Sequence, residues 1–195
     1  RERSSVPLVL SMCRSMVCCA ALRHLFPEAL LVNAPEAVIR TRRDFLYPHL
    51  AATVGLFPPA REHGFGDGLP DLPFPFWMKR HGYHHLHPGD VRLVSTPEEY
   101  AAGVSHFRSG GEERVFLQEH RTGEKIKFYA VRDPDTEELL FLHLRHPQAR
   151  RYRAAVEEFI TRALPGLGLA VCGGDLLAAP GGRLYPVDVH AWPSF

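Results

Sequence analysis

Two consecutive strand-length segments, Lys125–Arg132 and Glu138–Arg145, are joined through the turn Asp133-Pro134-Asp135-Thr136. A connection that short permits only an antiparallel pair. Arg114–Glu119 precedes them as another strand, and the sheet over this stretch is read as antiparallel. Gln148–Leu164 follows as a polar-faced helix stopped by Pro165 and Gly166. Ala170–Ala178 and Leu184–Val189 then form a hairpin around Pro180-Gly181-Gly182. Antiparallel sheets with packed helices make the expected class α+β.

The opening of the chain reads differently. Val6–Leu10 is an apolar run of strand length, Met12–Phe26 has apolar residues at helical spacing closed by Pro27, and Leu30–Val32 is a second strand ending at Asn33. Strand, helix and strand in that order predict a βαβ unit, the remnant of an N-terminal α/β subdomain over residues 1–40. The first residue is Arg, and the chain is expected to be a fragment lacking part of that subdomain. Pro35 opens a short helix, and Thr41–Val54 is predicted as another, with Thr41 as N-cap, Asp44 at the third position and Gly55 as stop. Residues 41–195 form the second predicted domain.

Pro58–Pro75 is rich in Gly, Pro and Asp without periodicity and reads as a loop or linker between two lobes. Beyond it come a strand at Phe76–Arg80, a polar loop at His81–Asp90 and a strand at Val91–Val94. Thr96 caps a helix over Pro97–Phe107, with Glu98 and Glu99 in the first turn where the helix dipole favours them.

Composition narrows the function. Lys and Arg number 23 against 22 Asp and Glu, a formal charge of +1, so the basic footprint of a nucleic-acid binder is missing. No apolar run reaches the roughly 20 residues that span a bilayer, and the Arg-interrupted start lacks the plan of a signal peptide, so a cytoplasmic protein without a membrane partner is expected. Cys13, Cys18, Cys19 and Cys172 have neither paired zinc-site spacing nor a disulfide-framework pattern and read as reduced thiols.

Several residues carry chemistry. Asp175 lies on one strand of the terminal hairpin, Asp188 and His190 on the other, so the turn brings the three polar groups toward one another. Two carboxylates and a neutral ligand suit a divalent metal that completes its shell with water and phosphate oxygens; the other reading is an edge hairpin whose acids are solvated. Lys79, on Phe76-Trp77-Met78-Lys79, either neutralises a phosphate or snorkels from an edge strand, and Lys127 alternates similarly with Ile126 and Phe128. His81, His84, His85 and His87 crowd one loop without a second ligand cluster, which favours a phosphate-covering or solvated loop over a transition-metal site. Arg145, Arg150, Arg151 and Arg153 cluster at a strand-to-helix junction that could dock an acidic substrate or form a solvated helix face.

The order of these features resembles the ATP-grasp superfamily, in both its ribosomal-protein glutamate ligase and inositol phosphate kinase branches. Asn33-Ala34-Pro35-Glu36-Ala37 resembles the N-x-P-x-A stretch, and Gly55-Leu56-Phe57-Pro58-Pro59 resembles the G-[IVL]-P-x-P crossing. Trp77-Met78-Lys79 is similar to the nucleotide lysine strand. Val115-Phe116-Leu117-Gln118-Glu119-His120 with Gly123-Glu124-Lys125-Ile126-Lys127 resembles the hinge and the strand after it. Val171-Cys172-Gly173-Gly174-Asp175 and Asp188-Val189-His190-Ala191-Trp192-Pro193 resemble the G-x-D and [DE]-[IV]-N-x-x-P elements.

The resemblance implies an ATP-grasp enzyme of two antiparallel lobes that uses ATP and Mg²⁺, with Mn²⁺ as the other candidate ion. It implies that adenine takes backbone hydrogen bonds near Gln118, Glu119 and His120, that Lys79 and Lys127 hold phosphates, and that Asp175, Asp188 and His190 hold the metal. Lys127 and Arg145 are the implied catalytic residues, and an anionic small molecule or peptide is the implied substrate. The first expected reaction is γ-phosphoryl transfer to a carboxylate for ligation to an amine; the alternatives are a kinase acting on a phosphorylated polyol and an inactive nucleotide-binding module. The sequence departs from the family pattern in three places. His190 stands where Asn is usual, Phe45 stands where a lysine is usual with Arg43 as its nearest replacement, and the loop after Lys79 carries histidine in place of glycine.

Overall fold

The computed structural model describes residues 7–11, 15–55, 60–82 and 87–192. Val6, Met12, Cys13, Leu56–Pro59 of the expected crossing, His84, His85 and Pro193–Phe195 lie outside the described residues. The elements run β1 (Leu8–Leu10), α1 (Met16–Leu25), β2 (Leu30–Val32), α2 (Pro35–Ile39), α3 (Arg43–Val54), β3 (Ala60–Gly64), β4 (Phe76–Arg80), β5 (Val91–Val94) and α4 (Pro97–Ser109). They continue with β6 (Arg114–Glu119), β7 (Glu124–Arg132), β8 (Leu139–Arg145), α5 (Ala149–Ala163), β9 (Val171–Ala178) and β10 (Leu184–His190). The mixture of antiparallel sheets and helices is the α+β class read from the sequence.

The chain divides into two compact units. The first holds the residues up to Thr41, Lys125–Leu176 and those from Asp188 onward. Its strands β1 and β2 pair in parallel, Leu8 opposite Leu30, as a βαβ connection through α1 requires. Its main sheet has the order β10-β9-β7-β8, with β7 and β8 antiparallel. Helix α5 buries Tyr152, Val156, Phe159, Ile160 and Ala163, a helical stripe, and sets Phe159 edge-on to Phe128 of β7 at 5.9 Å.

The second unit comprises Arg42–Glu124 and Leu177–Val187. Its sheet has the order β3-β6-β4-β5. Phe76 and Met78 of β4, Val115 and Leu117 of β6, Val94, and Tyr100 and Phe107 of α4 form one buried cluster. Gly103 lets α4 come close to β4: a Cβ there would stand 2.8 Å from Met78 Sδ. Alternation along β4 turns Lys79 away from that cluster, toward the face where Tyr47 of α3 meets Phe116 edge-on at 5.2 Å.

Three sequence expectations change. Strand β3 lies inside the stretch read as loop; its polar Ala60-Arg61-Glu62-His63-Gly64 is held in place by pairing with β6. β6 therefore belongs to the second unit's sheet, between β3 and β4, and not with β7 and β8. Thr41 does not cap α3. Its hydroxyl donates back to Val38 O at 2.7 Å, and the N-cap position falls on Arg42, whose guanidinium pairs with Asp44 at 2.9 Å. Gly55 ends α3 at φ 59°, in the left-handed region that favours glycine.

Candidate functional site

In the second unit, the site is built around a buried cation. Lys79 is 4% exposed. Its ammonium donates to Tyr47 Oη at 3.0 Å, Gln118 Oε1 at 2.6 Å and Val187 O at 3.5 Å. All three acceptors are neutral, and among the described residues no carboxylate pairs with Lys79. A buried charge without a counter-charge is costly unless a partner arrives, so the arrangement suits an anionic ligand.

The local fold explains the convergence. Trp77 stands opposite Gln118 across the β4–β6 ladder and Lys79 opposite Phe116, which makes Lys79 and Gln118 diagonal neighbours on one face. Tyr47 comes from the buried face of α3, together with Arg43, Leu46 and Leu50 at helical spacing.

Beyond Gln118 the chain offers further polar atoms. Gln118 Nε2 and His120 Nδ1 are both buried and have no hydrogen-bond partner among the described residues. The His120 ring lies 6.0 Å from that of Trp77. Glu119 pairs with Arg121 at 2.6 Å, and Arg121 also lies over the Tyr185 ring. Arg43, expected to substitute for a phosphate-binding lysine, is 2% exposed and donates to Arg80 O at 2.8 Å, while its backbone N–H donates to Gly82 O at 2.8 Å. It therefore fastens α3 to the end of β4, the strand that carries Lys79. His81 stacks on Phe116 and meets Glu62 at 2.7 Å, a hydrogen bond that holds the Glu62 carboxyl below its usual range.

The first unit holds the other expected residues. Lys127 and Arg145 are directly opposite each other in the β7–β8 register. Like charges facing across a ladder repel, so this pair too favours an anion between them. In the terminal hairpin, His190 Nδ1 is 3.3 Å from Gly173 O; a carbonyl only accepts, so Nδ1 carries the hydrogen in that contact. Gly174 is pressed so close to β10 that a Cβ would stand 2.2 Å from Asp188 O.

Asp175 gives one oxygen, Oδ2, to Lys125 at 2.7 Å, while Oδ1 is buried without a hydrogen-bond partner among the described residues. Asp188 Oδ1 is likewise shielded from solvent. No group of three His, Cys, Asp or Glu among the described residues is arranged to hold a metal unaided. Mg²⁺ does not need one, since one or two carboxylates plus phosphate oxygens and water suffice, and an orphaned buried carboxylate oxygen fits such a hard cation.

Sequence reasoning missed Tyr47, Val187 and Lys125. Asn33 was read only as part of a motif, yet its amide donates to Val171 O at 2.7 Å and Ala191 O at 2.6 Å and accepts from Val171 N at 2.8 Å. It is the clasp that ties the end of β2 to the start of β9 and to the residue just past β10.

Known structures share this fold. The D-alanine-D-alanine ligase from Coxiella burnetii superposes with a TM-score of 0.73 at 12% identity over 97% of this chain and 60% of that one. A RimK domain ATP-grasp protein from Sphaerobacter thermophilus gives 0.68 at 18% identity over 96% and 73%. This is the ATP-grasp fold. The ADP complex of an N5-carboxyaminoimidazole ribonucleotide synthetase gives 0.66 at 13% identity over 91% of this chain and 51% of that one. The chain thus spans about three fifths of the length of the first of these ATP-grasp structures. No family profile and no curated protein matches the sequence. Among the described residues no helix is long and apolar enough to cross a membrane.

Proposed function

We propose that the chain binds ATP with Mg²⁺ and acts as an ATP-grasp ligase, transferring the γ-phosphoryl group to a carboxylate so that an amine can attack it. The observation that carries this reading is Lys79, a buried ammonium whose described contacts are all neutral. An anion is the missing partner of that charge, and nucleotide phosphate is the anion that the fold suggests.

The chain's own residues divide the work. Lys79 and Lys127 hold phosphate, and the backbone from Gln118 through Glu119 to His120 holds adenine. Arg43 contributes by fixing the end of β4 through its bond to Arg80 O. Lys127 and Arg145 together stabilise negative charge on the group being transferred. Asp175, Asp188 and His190 hold the metal. When bound, Mg²⁺ supplies positive charge that screens the phosphate oxygens. The acceptor is an anionic small molecule or peptide. Ligase is preferred over kinase because two of the three neighbouring structures described above are named as a ligase and a synthetase.

The test measures ADP release with Mg²⁺ and ATP against amino-acid and peptide carboxylates paired with amines, and against polyol phosphates. Turnover that requires both a carboxylate and an amine supports the ligase. Turnover on polyol phosphates alone replaces it with the kinase. A nucleotide-dependent rise in Tm without turnover on any acceptor makes the chain a nucleotide-binding module, and no rise in Tm refutes the reading altogether.

A further inference from the structure

We propose that Lys125 is a built-in counter-cation of Asp175, and that its ammonium weakens the terminal hairpin's hold on a divalent metal. The inference rests on the reading of Asp175 and Asp188 as the metal-holding carboxylates. Lys125 is the second residue of β7, the neighbour of β9 in the sheet, and reaches Asp175 Oδ2 at 2.7 Å. The pair is lopsided in its exposure: the lysine side chain is 62% exposed and the aspartate 20%. An ion pair with so exposed a member adds little to stability. Its consequence lies instead in what it does to the carboxylate.

Asp175 keeps one oxygen for another cation. Oδ1 is buried and has no hydrogen-bond partner among the described residues. A divalent ion that binds there meets an ammonium on the same carboxylate. Either the lysine swings out on its flexible stem, losing its ion pair, or it stays and repels the incoming charge. Both routes lower affinity, by roughly tenfold for a single and a double positive charge about 5 Å apart in a largely aqueous dielectric. Metal loading is therefore weak until nucleotide phosphates add the negative charge that outweighs the ammonium. Lys125 is a positioning residue in this account, touching neither substrate nor nucleotide.

The experiment titrates the full chain with Mn²⁺, alone and with saturating ADP, and follows free Mn²⁺ by electron paramagnetic resonance. Wild type, Lys125→Met, Lys125→Gln, Lys125→Arg and Asp175→Asn are compared, each checked for its fold by circular dichroism. Lys125→Met and Lys125→Gln are expected to bind Mn²⁺ roughly tenfold more tightly than wild type without ADP. Lys125→Arg keeps the wild-type affinity, because it keeps the charge, and Asp175→Asn loses the site. Equal affinity in wild type and both neutral variants, with Asp175→Asn still abolishing binding, overturns the role of Lys125 and leaves the metal reading standing. Binding that Asp175→Asn does not affect, or no binding with or without ADP, overturns the metal reading and this inference with it.

Discussion

Replacing Asn33 with Ala removes the clasp between the end of β2 and the terminal hairpin. Asn33 is fully buried, and its side chain makes three hydrogen bonds, two as donor to Val171 O and Ala191 O and one as acceptor from Val171 N. Taking about 1 kcal/mol net for each bond, Asn33→Ala costs about 3 kcal/mol. For a domain of this size that is a fall in Tm of about 6–12 °C. Asn33→Asp is a sharper probe. It keeps the acceptor for Val171 N but sets a carboxylate oxygen against two carbonyl oxygens, so it is expected to cost about 2 kcal/mol more than the alanine variant. Thermal and urea unfolding followed by circular dichroism give both numbers. If Asn33→Ala lies within about 0.5 kcal/mol of wild type, the margin of an ordinary surface substitution, the clasp is not holding the hairpin and the reasoning fails.

Two further predictions concern neighbouring features. Gly174→Ala puts a methyl 2.2 Å from Asp188 O and 2.6 Å from the Phe128 ring, so backbone or core must shift; a loss of about 2–4 kcal/mol in urea unfolding is expected, and a neutral result contradicts the close approach. Cys172 is buried, and desolvation pushes its thiol from 9.0 up to about 12 against the opposing charge of Arg132, so native protein at neutral pH keeps it protonated while exposed Cys18 reacts. Because the folded value is raised, its contribution to stability is complete below 9.0 and is lost as pH rises toward about 12. Alkylation followed by peptide mass mapping checks the contrast, and Cys172 modified as fast as Cys18 in folded protein refutes it.

Most of the fold was legible because the chain is heavily punctuated. Thr96 and Pro97 mark the start of α4 as expected, and Thr96 Oγ1 accepts from Glu99 N at 3.2 Å. Pro180, Gly181 and Gly182 likewise mark the hairpin turn. What escaped was set by tertiary contact. β3 has no apolar alternation of its own, and only its pairing with β6 makes it a strand. Thr41 had the chemistry of a cap, but its hydroxyl donates to Val38 O and the N-cap position falls on Arg42. For the site, Lys79 was visible as a lysine on an apolar strand, whereas Tyr47 and Val187 were not. A helix predicted over Thr41–Val54 could not reveal that the Tyr47 hydroxyl meets a lysine on another element. The pairing of Lys125 with Asp175 was equally hidden, since it depends on β7 and β9 being neighbours in the sheet.

The central claim is that the buried ammonium of Lys79 is there for a nucleotide. Calorimetric titration of wild type and Lys79→Met with ATP and Mg²⁺ tests it directly. The account predicts saturable binding to wild type and a loss of roughly tenfold or more in the variant, as expected when one charged contact to phosphate is removed. Equal affinity in the two proteins, or no binding to wild type, contradicts it.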